Sequence, residues 1–221
     1  AAKIIKISVK HGDLFRTGLW TLDPQKINET INSLREEALS DSSKCKAVGV
    51  DTETTTALSR PTAIRTPSIV QVASETRCII IPLFALNDGR GTESLCKLLR
   101  DKRVAKVGMS ASDDCRVFYP YSRCVIDLEH VCQVKFGTSN LSLLEAWERF
   151  VPKCESAAAR RIKASIRAEH EEWENPNPRD DALEYAAWDA FMSLDCYSSF
   201  VNQLQSPVEV DHVFGNPQQQ Q

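Results

Sequence analysis

Short apolar and β-branched runs alternate along this chain with longer segments of helical periodicity. The strand-like runs are IIKISVK, KAVGVDTE, SIVQVAS, CIIIPL and VAKVGM. Only the polar residues ETR separate SIVQVAS from CIIIPL, which predicts an antiparallel pair joined by a tight turn. Strands that alternate with helices, with an antiparallel pair among them, predict an α/β fold around one mixed sheet.

Capping residues indicate where the predicted helices begin. Asp181 and Glu184 have the spacing of a capping box, and they precede the long helical segment ALEYAAWDAFMSLDCYSSFVNQL. The other predicted helix starts are Asp23 with Pro24, a position near Thr92, a stretch from Asp113 to Phe118, and Ser142 with Glu145.

The chain has 221 residues, of which 42% are hydrophobic and 26% are charged. A chain of this size can bury one sizeable core, so one main domain is expected. We assign 1–24 to an N-terminal strand extension, 25–205 to the main domain and 206–221 to a tail that is disordered at its end. No apolar run reaches the roughly 18 residues of a membrane span, so we expect a soluble protein with no membrane partner.

Eight cysteines are spread along the chain without a CxxC pair or a zinc-like cluster. They are typical of buried thiols in a reducing, intracellular compartment. The formal net charge is -3, which disfavours a broad phosphate-binding surface but not an enzyme that holds only a strand end. The first residue is not Met, which we interpret as a fragment or a processed chain, and a larger parent protein or complex is one candidate context.

Asp51 and Glu53 directly follow the apolar run AVGV. Side chains alternate along a strand, so both carboxylates point to the same side, about 7 Å apart along the chain. The alternative interpretation is an ordinary solvated strand end, which this spacing alone does not exclude.

Asp189 lies in the last predicted helix, which has apolar residues on two opposite sides and is therefore expected to be largely buried. An ionised carboxylate in such a place is costly unless it meets a cation or strong hydrogen-bond donors. Tyr185 precedes it by one helical turn and shares its face. The alternatives are a hydrogen-bonded core aspartate or an acid that pairs with an arginine from elsewhere.

Asp113 and Asp114 follow the strand VAKVGM in the first turn of a predicted helix. Acids at this position interact favourably with the helix dipole. The carboxyl end of a strand is also where open α/β sheets bind ligands. Periodicity does not decide which of the two residues points into a site.

Together, DTE at 51–53, Asp114 in VGMSASDD and YAAWD at 185–189 resemble the three motifs of the DEDDy group of 3'-5' exonucleases. This group includes ribonuclease D and the exonuclease domain of the Werner syndrome helicase. The resemblance covers about 25–204. Glu184 stands where a sister group has its catalytic histidine, which disfavours that group. Ser110 and Asp113 depart from the commoner Asn and aromatic residue ahead of the second-motif aspartate.

The resemblance implies a ribonuclease H-like mixed sheet flanked by helices on both faces. It also implies a metal-dependent 3'-5' exonuclease that releases nucleoside 5'-monophosphates from the free 3' end of a single strand, with RNA favoured over DNA. Two Mg²⁺ or Mn²⁺ ions would be bridged by Asp51. Glu53 and Asp189 would complete the site that activates water, Asp114 would hold the second ion, and Tyr185 would orient the water.

Contacts to the substrate are open at this stage, because each candidate also has a structural interpretation. The basic side chains could reach phosphates or belong to solvated surfaces, and the aromatic ones could stack on a base or lie in the core. The candidates are Arg60, Arg65, Arg160, Arg161, Lys163, Arg167, Phe118 and Trp188. Two alternative functions remain: a catalytically silent nucleic-acid-binding or protein-interaction scaffold, and another two-metal nuclease or transferase on the same sheet.

Overall fold

The computed structural model describes residues 2–11, 14–43, 45–54, 67–86, 92–112, 121–152, 156–166 and 172–203. Within these ranges, one sheet contains seven strands in the order β1-β2-β5-β4-β3-β6-β7. The strands are β1 Ala2–His11, β2 Leu14–Thr21, β3 Ala47–Glu53, β4 Ile69–Ala73, β5 Arg77–Pro82, β6 Ala105–Gly108 and β7 Val125–Asp127.

The sheet is mixed, as the sequence predicts. β4 pairs antiparallel with β3 on one side and with β5 on the other. β3, β6 and β7 run parallel to one another. β1 and β2 form an antiparallel pair. They extend the same sheet, because β2 pairs with β5, in the parallel direction. The SIVQVAS and CIIIPL runs therefore form the antiparallel pair expected of them.

Helices lie on both faces of the sheet, which confirms the predicted fold class. The six α-helices of the described ranges are α1 Pro24–Leu39, α2 Thr92–Arg100, α3 Leu128–Phe136, α4 Leu143–Phe150, α5 Ser156–Ile166 and α6 Asp180–Gln203. Two short 3-10 helices, Leu83–Leu86 and Glu172–Glu174, complete the helical elements described.

Each face of the sheet has its own apolar core. α1 and α2 cover one face, where they pack on the alternate strand residues Val48, Val50, Val70, Val72, Ile79 and Ile81. α3, α4, α5 and α6 contribute to the core of the other face, which holds Ile69, Ile80 and Val107. Period-two alternation within β3, β4 and β5 thus assigns each side chain to one of the two cores.

Side-chain capping marks the starts of α1, α3 and α4. Asp23 accepts hydrogen bonds from the backbone N–H groups of Gln25 and Lys26, with Pro24 at the first helical position. Ser142 and Glu145 form the predicted capping box. The capping box predicted at Asp181 is wrong, because α6 already includes Asp180 and Asp181. The carboxylate of Asp181 is held by Arg179 instead, at 2.9 and 2.5 Å.

The last helix, α6, is the central element of its layer. It contacts β1 to β6, and its residues are buried almost continuously from Ala182 to Phe200. None of the helices in the described part of the chain combines the length and the apolar character that crossing a membrane requires.

Gly49 allows α6 to approach β3 closely. A Cβ built on Gly49 would overlap the carbonyl oxygen of Ala190 and lie 2.8 Å from its carbonyl carbon. These are backbone atoms, so a side chain at position 49 would force the helix away from the strand. By contrast, a Cβ on Gly18 in β2 would meet its nearest neighbour, Ala187 Cβ, at 3.6 Å, an ordinary contact.

We expect Gly49→Ala to destabilise the protein by about 3 kcal/mol, because the helix backbone must shift to admit one methyl group. Chemical denaturation with far-UV circular dichroism measures the change. Gly18→Ala is the matched control and should change the free energy of unfolding by less than about 1 kcal/mol. Similar losses for the two variants would contradict a special close approach at Gly49.

Candidate active site

Asp51 and Glu53 lie at the carboxyl end of β3, on the face that α6 covers. Gly49, two residues earlier on the same face, lies against the backbone of Ala190. Both acids are partly exposed, whereas the residues before them on β3 are buried. The strand therefore leaves the apolar core at this point and presents two carboxylates beside the helix.

Asp189 brings a third carboxylate to the same place. It immediately precedes Ala190, the residue that contacts Gly49, and it is only 5% exposed. One carboxylate oxygen from each of Asp51, Glu53 and Asp189 lies within 4.8 Å of the other two. The structure thus brings together three of the four acids named from the sequence. Asp114 lies outside the described residues, as does Asp113.

Lys163 of α5 supplies a positive charge to this acidic cluster. Its ammonium group forms an ion pair with Asp189, and its side chain is 23% exposed. The same ammonium lies 4.4 Å from the centre of the Tyr185 ring, within range of a cation–π interaction. The partner of Asp189 among the described residues is therefore a lysine, where the sequence allowed for an arginine.

Burial raises the pKa of the Asp189 carboxyl, and Lys163 and the Tyr185 hydroxyl partly oppose that shift. Burial costs a charged group its hydration, whereas a nearby cation and a hydrogen-bond donor favour the carboxylate. Asp189 is thus a carboxylate that needs positive charge around it, and in this structure one ammonium group provides it.

Tyr185 lies one turn before Asp189 on α6 and hydrogen bonds to its carboxylate. Burial raises the pKa of the phenol strongly, and the negative charges of Asp189, Glu53 and Asp51 raise it further. The hydroxyl therefore stays protonated and can act as a hydrogen-bond donor. The Lys163 ammonium contacts both the Tyr185 ring and Asp189, so the phenol belongs to the same cluster.

The three carboxylates fit divalent cations. Mg²⁺ and Mn²⁺ prefer oxygen ligands, and carboxylates are their usual protein ligands. One oxygen from each of the three acids lies within 4.8 Å of the other two, a spacing at which a shared cation offsets the repulsion between the carboxylates. The fit thus rests on the chemistry and the spacing of the side chains themselves.

Several residues proposed as substrate contacts have structural partners instead. Arg160 forms two hydrogen bonds, both of 2.6 Å, with the carboxylate of Glu148. Trp188 is 1% exposed and packs edge-on against Trp147, with ring centres 5.6 Å apart, so it is not available to stack on a base. Arg161 is exposed. The remaining candidates, Arg60, Arg65, Phe118 and Arg167, lie outside the described residues.

The pairing of Lys163 with Asp189 was not predicted from the sequence, where Lys163 is only a candidate phosphate contact. Twenty-six positions separate the two residues, and nothing in the sequence of either helix indicates that α5 lays this lysine against α6. Only the packing of the two helices shows it.

Comparison with known proteins identifies the family of the chain and its fold. A family model described as 3'-5' exonuclease matches residues 27–205. None of the curated protein sequences compared with the chain matches it.

Solved structures share the fold at low identity. Ribonuclease D of Trypanosoma brucei in complex with GMP is 17% identical, with a TM-score of 0.70 over 89% of this chain and 60% of that one. The same enzyme with the RNA U12 is 16% identical, with a TM-score of 0.68 over 89% of this chain and 66% of that one. The EXO domain of Nibbler from Aedes aegypti is 16% identical, with a TM-score of 0.67 over 96% of this chain and 99% of that one. The chain thus spans 60% of the first ribonuclease D chain.

We expect Lys163→Met to destabilise the protein in chelator by about 2 kcal/mol. This is less than the roughly 3–5 kcal/mol for breaking a fully buried pair, because Lys163 is 23% exposed. In saturating Mn²⁺ the loss should shrink, since a bound cation then neutralises Asp189. Thermal unfolding with and without Mn²⁺ measures both values.

Arg161→Met is the matched control for this prediction. It removes one charge from the exposed side of the same helix and should leave both melting temperatures close to those of the wild type. A deficit of Lys163→Met that is equally large with and without Mn²⁺ would show that Lys163 acts only in helix packing.

Proposed function

Because the chain belongs to the 3'-5' exonuclease family, we propose that it hydrolyses the terminal phosphodiester bond at the 3' end of nucleic acid and releases nucleoside 5'-monophosphates. The observation that carries the proposal is the convergence of Asp51, Glu53 and Asp189 beside Tyr185. These four residues come from two distant parts of the chain, the end of β3 and the helix α6. Their meeting in one place speaks against a catalytically silent scaffold.

We propose that Asp51, Glu53 and Asp189 hold two divalent cations, Mg²⁺ or Mn²⁺, and that Asp114 completes the ligand set, as the sequence resemblance implies. Such ions supply electrostatic stabilisation of the attacking and leaving oxygens of a phosphodiester. The short spacing of the three carboxylates and the burial of Asp189 support this assignment.

In the proposed mechanism, Tyr185 positions the attacking water by a hydrogen bond. Its raised pKa keeps the hydroxyl protonated, so its oxygen can accept a hydrogen bond from the water while its O–H group donates to Asp189. The rigid, buried α6 fixes the phenol relative to Asp189, one turn away. Lys163 faces both residues, and its positive charge is suited to the phosphate that the water attacks.

We propose RNA with a free, single-stranded 3' end as the substrate. The support is the likeness in fold to ribonuclease D of Trypanosoma brucei, which has been solved with the RNA U12. We further propose that residues 25–205 form the exonuclease domain of a larger protein or complex that acts inside the cell. The described cysteines are thiols, in keeping with a reducing compartment.

With Mn²⁺ and a labelled 3' end, the protein should shorten RNA stepwise and digest a DNA strand of the same sequence more slowly. Chelator should stop both reactions.

Asp51→Asn should abolish turnover while the circular dichroism spectrum is unchanged, because it removes a central carboxylate of the cluster. Glu129→Gln, an exposed acid of α3, is the control and should retain full activity. Near-normal activity of Asp51→Asn would refute the assignment.

Tyr185→Phe should lower kcat by about 10- to 1,000-fold with little change in KM, because it removes one hydrogen bond to the reacting water and keeps the ring and the carboxylates. Single-turnover rates and the melting temperature, measured on the same sample, test this. A wild-type rate with a reduced melting temperature would show that Tyr185 has only a structural role.

A further inference from the structure

Gln71 lies directly opposite Asp51 in the sheet. In the antiparallel pairing of β3 with β4, Asp51 is the partner of Gln71, and in the pairing of β4 with β5, Ile80 is its other partner. Directly opposite residues of an antiparallel pair point to the same face. Gln71 and Asp51 therefore share the face that α6 covers. The partner of Gln71 on β5, Ile80, has an apolar side chain.

The amide of Gln71 is buried without a hydrogen-bond partner. The residue is 0% exposed, and neither Oε1 nor Nε2 has a partner in the described part of the chain. A buried polar group left unpaired costs about 1–3 kcal/mol, so an apolar side chain of the same shape would be more stable here. Structure alone therefore gives no reason for glutamine at this position.

Within the sheet, the neighbours of Gln71 limit what its amide can reach. Two residues away on the same face of β4 lie Ile69 and Ala73, both in the apolar core under α6. Ile80 flanks Gln71 on β5, and Asp51 flanks it on β3. Of these cross-strand and same-face neighbours, Asp51 alone carries a hydrogen-bond acceptor in its side chain.

We propose that Gln71 is a positioning residue that holds the carboxylate of Asp51 for cation binding. Side chains that face each other in an antiparallel pair have Cβ atoms about 4.5–5.5 Å apart, so the Nε2 amide, which is unpaired in the cation-free protein, can donate to Asp51 directly or through one water once a bound cation orients that carboxylate. The inference rests on the proposed function, because it takes Asp51 to be a cation ligand.

Holding Asp51 has a clear physical benefit. A carboxylate that ligates a cation must keep one orientation, and its non-ligating lone pairs are normally met by a hydrogen-bond donor from the next layer of residues. Removing such a donor typically weakens metal binding by about 10- to 100-fold. Gln71 is thus a residue whose cost to folding is balanced by a gain in the ordering of Asp51.

Removing the amide should change two properties in opposite directions: the stability of the cation-free protein should rise, and its affinity for Mn²⁺ should fall. Gln71→Met keeps the length and apolar volume of the side chain and removes both amide atoms. We expect the variant to unfold at a higher denaturant concentration than the wild type in chelator. We expect its dissociation constant for Mn²⁺, measured by calorimetry without nucleic acid, to rise by about 10-fold or more.

Ile80→Met is the matched control, because it changes an apolar side chain on the same face, one strand further from Asp51. It should leave the Mn²⁺ dissociation constant unchanged. An unchanged Mn²⁺ affinity of Gln71→Met would overturn the inference. So would a loss of stability in chelator, since it would show that the amide is satisfied within the folded protein.

The outcome separates this inference from the proposed function. A wild-type protein that binds Mn²⁺ but digests neither RNA nor DNA refutes the exonuclease proposal and leaves the role of Gln71 standing if Gln71→Met binds Mn²⁺ more weakly. An active wild-type enzyme whose Gln71→Met variant binds Mn²⁺ equally well refutes the role of Gln71 alone.

Discussion

The contact between the backbone of α6 and β3 determines the geometry of the acidic cluster. Gly49 has no side chain, so the backbone carbonyl group of Ala190 can pack directly against the backbone of β3. Asp189 immediately precedes Ala190 on the helix, and Asp51 lies two positions after Gly49 on the strand. With helix and strand this close, their carboxylates lie within 4.8 Å of each other and of Glu53. A thicker interface would separate the same three residues.

A buried ion pair is a second contact that fixes α6, here against β2 and α4. Asp195 accepts hydrogen bonds from Arg16 of β2 at 2.9 and 2.6 Å, and from the indole of Trp147 in α4 at 3.0 Å. Arg16 also stacks on the ring of Phe191. Arg16 and Asp195 are both buried, and their charges are paired, which makes the arrangement specific as well as tight. One carboxylate thus joins the first strands to two helices.

Local patterns predicted β1, β3 to β6, α1, α2, α4 and α6, because these elements have a clear periodicity or a capping pattern in the sequence; α3 and α5 were not among the predicted helices. The shared face of Asp51 and Glu53 follows from strand alternation, and that of Tyr185 and Asp189 follows from helical spacing. Contacts between elements were less accessible. Asp181 offered a capping pattern but pairs with Arg179, and the lysine beside Asp189 comes from a separate helix. β7 has only three residues, too few for a periodic pattern.

The ion pair between Arg16 and Asp195 has a consequence for how the protein is made. The two residues are 179 positions apart, so the first strands leave the ribosome long before their partner on α6 exists. β1 and β2 can form a hairpin early, but the core under α6 closes only after nearly all of the described chain has been synthesised. Until then the apolar face of the sheet is uncovered, and exposed apolar surface of this kind favours aggregation of incomplete chains.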